Sequence, residues 1–379
     1  MIRQTAILPL LLALGAVAAA SAQADSINGG AAVAPLPQHL SETGLFEQGS
    51  VTEVTSNAIA FSPQYPLWSD GATKRRWISL PAGTSIDASN PDAWVFPAGT
   101  KLWKEFSMGR RVETRYIERT ADGEWRFASY VWNEQGTDAV LASEHGMTVA
   151  IATARNGHYR VPGEYDCRAC HEGASVPVLG FSALQLSSDR DPMAPHAEPA
   201  TSIDLNQLVA QGLVRNLPKT LIDFPPRIDV RSPVERAALG YLHGNCGNCH
   251  SVPSESGASV PVGIVFAQQV KDSKLSVEAV RRSLIGVTSR FRDRATPSAT
   301  RIVEPGQADA SMLAVRMKSR DSRVQMPPLG TTTPDNEALV LIERWINNDI
   351  NRTATQEELA TWDSAMTLIA DTSVGSLSR

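Results

Sequence analysis

Four cysteines occur in the 379-residue chain, in two identically spaced groups: Cys167-Arg168-Ala169-Cys170-His171 and Cys246-Gly247-Asn248-Cys249-His250. Two intervening residues put both thiols of a group on one turn of helix, and the next residue turns its imidazole to the same side. Such a unit can form two thioethers with the vinyl groups of a porphyrin and bind its iron from below, which is the attachment chemistry of a c-type haem. Two other chemistries use paired cysteines. A thioredoxin-like redox pair does not require the trailing histidine, and its βαβ surroundings are missing here. A zinc site assembled from all four thiolates is conceivable, but a histidine after both pairs in an exported chain favours haem. The motifs consume every cysteine. They predict two covalently attached c-type haems, on Cys167 and Cys170 and on Cys246 and Cys249, with His171 and His250 as iron ligands.

The other face of each iron needs a second ligand. Gln325-Met326-Pro327-Pro328-Leu329-Gly330 lies 76 residues beyond His250 (326 minus 250), just ahead of the last helical pattern, and its prolines stiffen the loop that presents the sulfur. A thioether opposite a histidine raises the haem potential and closes the iron to exchangeable ligands, so Met326 suits electron transfer. For the first haem the candidates are Met193, His196, Met147, His145, His158 and His243. His196, in a proline-bounded loop, is preferred among them; a five-coordinate iron is the other option. His243 lies one turn before Cys246 and could hydrogen-bond a propionate.

These residues must be positioned by the elements around them. Arg3, the apolar run Ala6 to Ala19 and Ala20-Ser21-Ala22 form a signal peptide, residues 1–22. The apolar run is too short for a membrane-spanning helix, which predicts an exported, periplasmic, soluble protein. Residues 23–60 are rich in Ala, Gly, Ser and Pro and read as an irregular leader. From 61 to 154, alternating runs such as Arg76 to Leu80, Arg115 to Arg119 and Trp125 to Trp132 are punctuated by glycine turns and predict a β-sandwich-like domain. Its six tryptophans read as core. Residues 155–231 hold the first motif in a segment of weak periodicity. Residues 232–351 read as helical: Ser232-Pro233-Val234-Glu235 is a helix start, 275–288 (Leu275, Val280, Leu284, Ile285) a second helix, and Thr333-Pro334-Asp335-Asn336 opens a third. The tail, 352–379, shows no chemistry. The expected fold class is thus α+β and multidomain: a β-sandwich-like front, a haem-bearing linker region and an all-α domain.

Composition narrows the function. The net charge of −5 becomes −6 once Arg3 leaves with the signal peptide, a balance that gives no support for nucleic-acid binding. Apolar content of 42% with 20% charged residues is that of a globular chain. Arg316, Lys318, Arg320 and Arg323 form a local basic stretch just before Met326, which would suit an acidic redox partner docking beside the second haem.

Residues 232–350 resemble a class I cytochrome c domain, with its haem-binding helix, Met-Pro-Pro loop and final helix. The wider chain resembles a family of bacterial exported dihaem cytochromes with a β-rich front half. Tyr65-Pro66-Leu67-Trp68-Ser69-Asp70-Gly71, Gly180 to Leu186 and Tyr241 to Cys246 carry that likeness. Where the family often has a histidine beside the second attachment cysteine, this chain has Asn248, so no role for a histidine there is carried over. The resemblance implies redox function: single-electron transfer through two haems. A dihaem peroxidase-type enzyme is the competing class. It would need an open first iron beside an acid or amide such as Gln185, Glu172 or Asp189. A third option makes residues 61–154 a substrate- or partner-binding module whose electrons the haems accept.

Overall fold

Alternating residues in the first half of the chain form short strands: β1 (Ile59–Ala60), β2 (Thr73–Ser79), β3 (Ile86–Asp87), β4 (Lys101–Ser107), β5 (Arg111–Arg119), β6 (Trp125–Trp132), β7 (Ala139–Leu141), β8 (Met147–Ala150) and β9 (His158–Val161), with β10 (Val214–Arg215) later. The computed structural model describes residues 34–174, 176–198, 203–251 and 263–350. The signal peptide and the C-terminal tail lie outside the described residues. The described residues from Pro37 onward form one compact unit. Six strands make a single antiparallel sheet in the order β1-β2-β4-β5-β6-β7, β8 pairs with β9, and β3 pairs in parallel with β10.

Side chains alternate across a strand, so the strand register assigns each residue a face. Trp77, Trp103 and Tyr116 oppose one another on one face; Ile78, Leu102, Ile117 and Phe127 do so on the other. The first face is closed by residues 37–56. Trp103 Nε1 donates to Thr43 Oγ1 at 2.9 Å, the Tyr130 hydroxyl donates to the Pro37 carbonyl at 2.9 Å, and Phe46 meets Trp132 edge-on. The stretch read as an irregular leader thus supplies Leu40, Leu45 and Phe46 to the core. Trp77, Trp94, Trp103 and Trp132 are buried, as their apolar area demands.

The helices are α1 (Glu164–His171), α2 (Leu205–Ala210), α3 (Thr220–Asp223), α4 (Pro233–Cys246), α5 (Ser273–Leu284), α6 (Met312–Lys318) and α7 (Asn336–Arg344). The local start signals work as expected. Ser232 Oγ accepts the Glu235 N–H at 3.3 Å with Pro233 at the first helical position, and the Asp335 carboxylate accepts the Ala338 N–H at 3.1 Å. In α5 the buried apolar side chains are Val277, Val280 and Leu284, whereas Leu275 is exposed. Among the described residues no helix is long and apolar enough to cross a membrane.

The expected fold class does not hold. Among the described residues there is one six-stranded sheet, not a sandwich, and the C-terminal region is not an all-α class I cytochrome c-like domain. The sheet's second face is covered by Val178, Phe181, Leu186, Leu205 and Leu208, from the segment after the first motif, where a sandwich would put another sheet. Residues 285–311 carry the isolated bridges Ile285 to Val303, Thr288 to Arg301 and Arg301 to Ser311 between the helices. The core of α4, α5 and α7 is completed by Tyr65, Leu184, Ala194, Ile228 and Val230 from earlier in the chain. The physical reason is that a period of two identifies a strand but says nothing about what buries its apolar face. Here irregular chain does so.

Three segments lock together at the centre. The Gln185 side chain accepts the Tyr65 N–H at 3.0 Å and donates to the Tyr65 carbonyl at 3.2 Å. Asn245, on α4, accepts the Trp68 N–H at 2.7 Å and donates to the Pro66 carbonyl at 3.3 Å. Gly240 and Gly244 let this happen: an added Cβ would lie 2.0 Å from the Tyr65 ring at Gly240 and 2.4 Å from the Tyr65 carbonyl oxygen at Gly244. These contacts join the segment ahead of the sheet, the segment after the first motif and α4.

Candidate functional site

Helix α1 presents the first motif. It starts at Gly163, whose N–H is accepted by Asp166 at 3.1 Å. Gly163 lies so near the 144–146 turn that a Cβ would fall 2.1 Å from the Glu144 carbonyl oxygen. Glu164 and Asp166 place negative charge at the helix's positive end, and Arg168 pairs with Glu164 and Glu172 one turn away on either side. Cys167 is buried and Cys170 half-buried. His171 ends the helix. Its Nδ1 lies 2.6 Å from the Pro177 carbonyl, which can only accept, so Nδ1 carries the proton and Nε2 keeps its lone pair. Burial pushes the ring's pKa down to about 4, and Phe127 of β6 packs against it at 5.0 Å between centroids.

The second motif continues from the end of α4. The Cys249 and His250 N–H groups both donate to the Cys246 carbonyl, at 3.1 and 2.9 Å, so the helical turn carries on through the motif. His250 packs edge-on to Phe266, its Nδ1 is buried without a partner, and burial with nearby Arg316 holds the ring below the usual histidine range. An unpartnered buried nitrogen is costly. The imidazole at this position is neutral and short of one interaction.

The two motifs, 79 residues apart (246 minus 167), are brought together in space. The Cys170 and Cys249 thiols are neighbours, each the largest influence on the other's ionisation, which pushes Cys170 up and Cys249 down. They border one cavity of about 860 Å³, at the upper end of the ~300–1,000 Å³ span of cofactor and ligand pockets. One wall is the second face of the sheet (Arg76, Leu102, Lys104, Arg115, Ile117). The others carry Cys167, Cys170 and His171, and His243, Asn245, Asn248 and Cys249 with Gln325, Pro327 and Pro328; Cys246 does not line the cavity. Among the described residues no group of three or more His, Cys, Asp or Glu is placed to hold a metal ion, so the four thiols do not gather into a zinc site. The first motif fits a covalent haem: two thiols on one helical turn, a neutral imidazole oriented by a backbone carbonyl as a metal-ligating histidine is, and a cavity beside them. The second fits through Cys249 at the cavity and the unsatisfied ring of His250.

The remaining sequence candidates are scattered. Met326 is held through its N–H to the Arg316 carbonyl at 3.0 Å, but its neighbours Pro327 and Pro328 line the cavity and Met326 does not. His196 is engaged at both ring nitrogens, with Asp335 at 2.8 Å and Glu337 at 3.3 Å, and packs on Trp68. Neither nitrogen is free for iron. The hydrogen bond to Asp335 raises its pKa. Met147 and His145 are exposed away from the cavity, Met193 packs in the helical core, and His158 lines the cavity. His243 also lines it. Its Nδ1 accepts the Gln268 N–H at 3.1 Å, which leaves Nε2–H as a donor, and burial pushes its pKa down to about 4. No sequence pattern singles out Met108, in the β4–β5 turn, yet it lines the same cavity.

The peroxidase-type candidates are committed elsewhere. Gln185 is bound to Tyr65, Glu172 to Arg168, and Asp189 to Arg227 and Arg236. The basic stretch is also tied down. Arg316 donates to the Val324 carbonyl, Lys318 pairs with Asp309 and Glu343, Arg320 donates to the Thr333 carbonyl and Arg323 pairs with Asp321. A scan against protein-family models, a search of curated proteins and a search of solved structures each returned no match.

Proposed function

We propose that the chain is a dihaem c-type cytochrome, exported to the periplasm, that carries single electrons between redox proteins. The observation that supports this is the convergence of Cys170 and Cys249, from two complete attachment motifs, on one cavity. When bound, each haem supplies a one-electron iron couple whose potential is set by its axial ligands, burial and hydrogen bonding. The chain's own residues do the rest. Pro177 fixes the tautomer and orientation of His171, burial keeps His171 and His250 neutral and ready to donate a lone pair, and the two motifs bring Cys170 and Cys249 beside each other. Met326, on a loop anchored at Arg316 and outside the cavity lining, would supply the second ligand at the His250 site. Electron carriage is favoured over peroxide chemistry because Gln185, Glu172 and Asp189 are all held by other side chains or backbone. The partners are redox proteins. Lys318 and Arg323, already paired within the chain, contribute little net charge to their docking.

A pyridine haemochrome assay on the purified chain tests the reading, with two haems per chain expected and none per chain overturning it. Carbon monoxide binding by the reduced protein together with peroxide turnover would replace the carrier with an enzyme.

A further inference from the structure

The cavity wall formed by the sheet carries a feature that attachment and ligation of haem leave unexplained. Arg76 on β2, Lys104 on β4 and Arg115 on β5 are direct cross-strand partners, so three cations stand in one row across the sheet, and all three line the cavity. Like charges directly opposite one another destabilise a sheet. Two are partly compensated: Arg115 pairs with the fully buried Glu113 at 2.6 Å, and Arg76 pairs with Glu198 at 3.1 Å. Arg76 is only 5% exposed, and its Nη2 is buried without a hydrogen-bond partner. Lys104, between them, makes no hydrogen bond or ion pair among the described residues; its ammonium lies 5.0 Å over the Phe106 ring. Burial first, then Arg76, Lys74 and Arg115, depresses its pKa well below the ordinary lysine value. The carboxylates in the cavity wall do not relieve the row. Asp70 accepts from the Thr332 and Thr333 N–H groups, Asp92 from those of Val270 and Lys271, and Asp166 from that of Gly163.

We propose that Arg76, Lys104 and Arg115 form a carboxylate-binding row opposite the first Cys-x-x-Cys-His motif. The guanidinium forks and the lone ammonium match a carboxylate's two oxygens. Phe61, Leu102, Ile117, Val178 and Phe181 make part of the wall apolar and aromatic, and an acid with an apolar body would pack there. Two sources share this chemistry. One is a propionate of a haem on Cys167 and Cys170, which rests on the dihaem reading. The other is a free apolar carboxylic acid entering the cavity, which does not.

The test uses the full chain as isolated, with Lys104→Met and Lys104→Gln, which are unbranched and one atom shorter, and Lys219→Met, an exposed lysine just before α3, as control. Folding is checked by near-ultraviolet circular dichroism of the tryptophans. In the first arm, benzoate is titrated calorimetrically. Binding that both Lys104 variants weaken about tenfold or more, as loss of one charge-assisted hydrogen bond implies, supports the row with a free acid as its ligand. In the second arm, the carboxylate stretch of haem carrying ¹³C-labelled propionates is followed by infrared difference spectroscopy. A shift in the Lys104 variants and not in Lys219→Met supports the row with a propionate as its ligand. No effect in either arm overturns the proposal, as does inorganic phosphate displacing benzoate at equal concentration. If haem analysis finds no haem, the dihaem reading fails and the benzoate arm alone decides.

Discussion

At the scale of single residues, the chemistry rests on how each imidazole is held. His171 is oriented by one backbone carbonyl and kept neutral by burial, so its Nε2 is available. His196 is the opposite case, a ring pinned at both nitrogens by carboxylates. The attachment reading predicts that Cys170→Ser lowers thioether-linked haem at the first site without altering the second, as read by mass spectrometry of haem peptides. His196 gives a pH prediction. Its hydrogen bond to Asp335 raises the folded-state pKa above the ordinary 6.5. The stabilisation is therefore complete below that value and is lost as pH rises through the folded-state pKa. Melting curves of wild type and His196→Gln should differ most near about pH 5 and converge toward about pH 9. A constant difference across that span rejects the linkage. His196 was readable as a residue that does something; that it is a strut between Trp68 and α7 depends on Asp335 and Glu337, 139 and 141 positions away, which no local pattern reveals.

At the scale of elements, the helix starts were legible because their determinants are local. Ser232 and Asp335 cap N–H groups three residues ahead, and Pro233 occupies a position where its missing N–H costs nothing. Gly240 and Gly244 show what was not legible. Within α4 they would be weak helix formers, yet each marks the place where the Tyr65 segment lies against the helix. Gly244→Ala should destabilise the chain by about 1–3 kcal/mol through overpacking, measured by denaturant unfolding; a neutral effect would mean that the Tyr65 backbone can move away. The same logic explains α5, where spacing alone placed Leu275 on the apolar side although packing buries Val277 in its stead.

At the scale of the molecule, the sheet and the C-terminal helices share one set of contacts. Asp70, in the turn just before β2, accepts hydrogen bonds from the backbone and hydroxyls of Thr332 and Thr333, ahead of α7. Because Tyr65 and Leu184 belong to the helical core as well, tryptophan fluorescence and far-ultraviolet circular dichroism should report one coincident unfolding transition. Two separated transitions would show that sheet and helices fold independently. Asp70→Ala should weaken this joint by about 1–3 kcal/mol. The sequence by itself determined the attachment motifs, the strand periodicity and the helix caps, because each is set by residues within a few positions of one another. The tertiary structure alone decided that one sheet stands where a sandwich was expected, that irregular chain covers it, and that Cys170 meets Cys249 across a cavity walled by Arg76, Lys104 and Arg115. Those outcomes depend on which apolar faces bury one another across long stretches of chain, and hydrophobic burial has no direction that a sequence interval could encode.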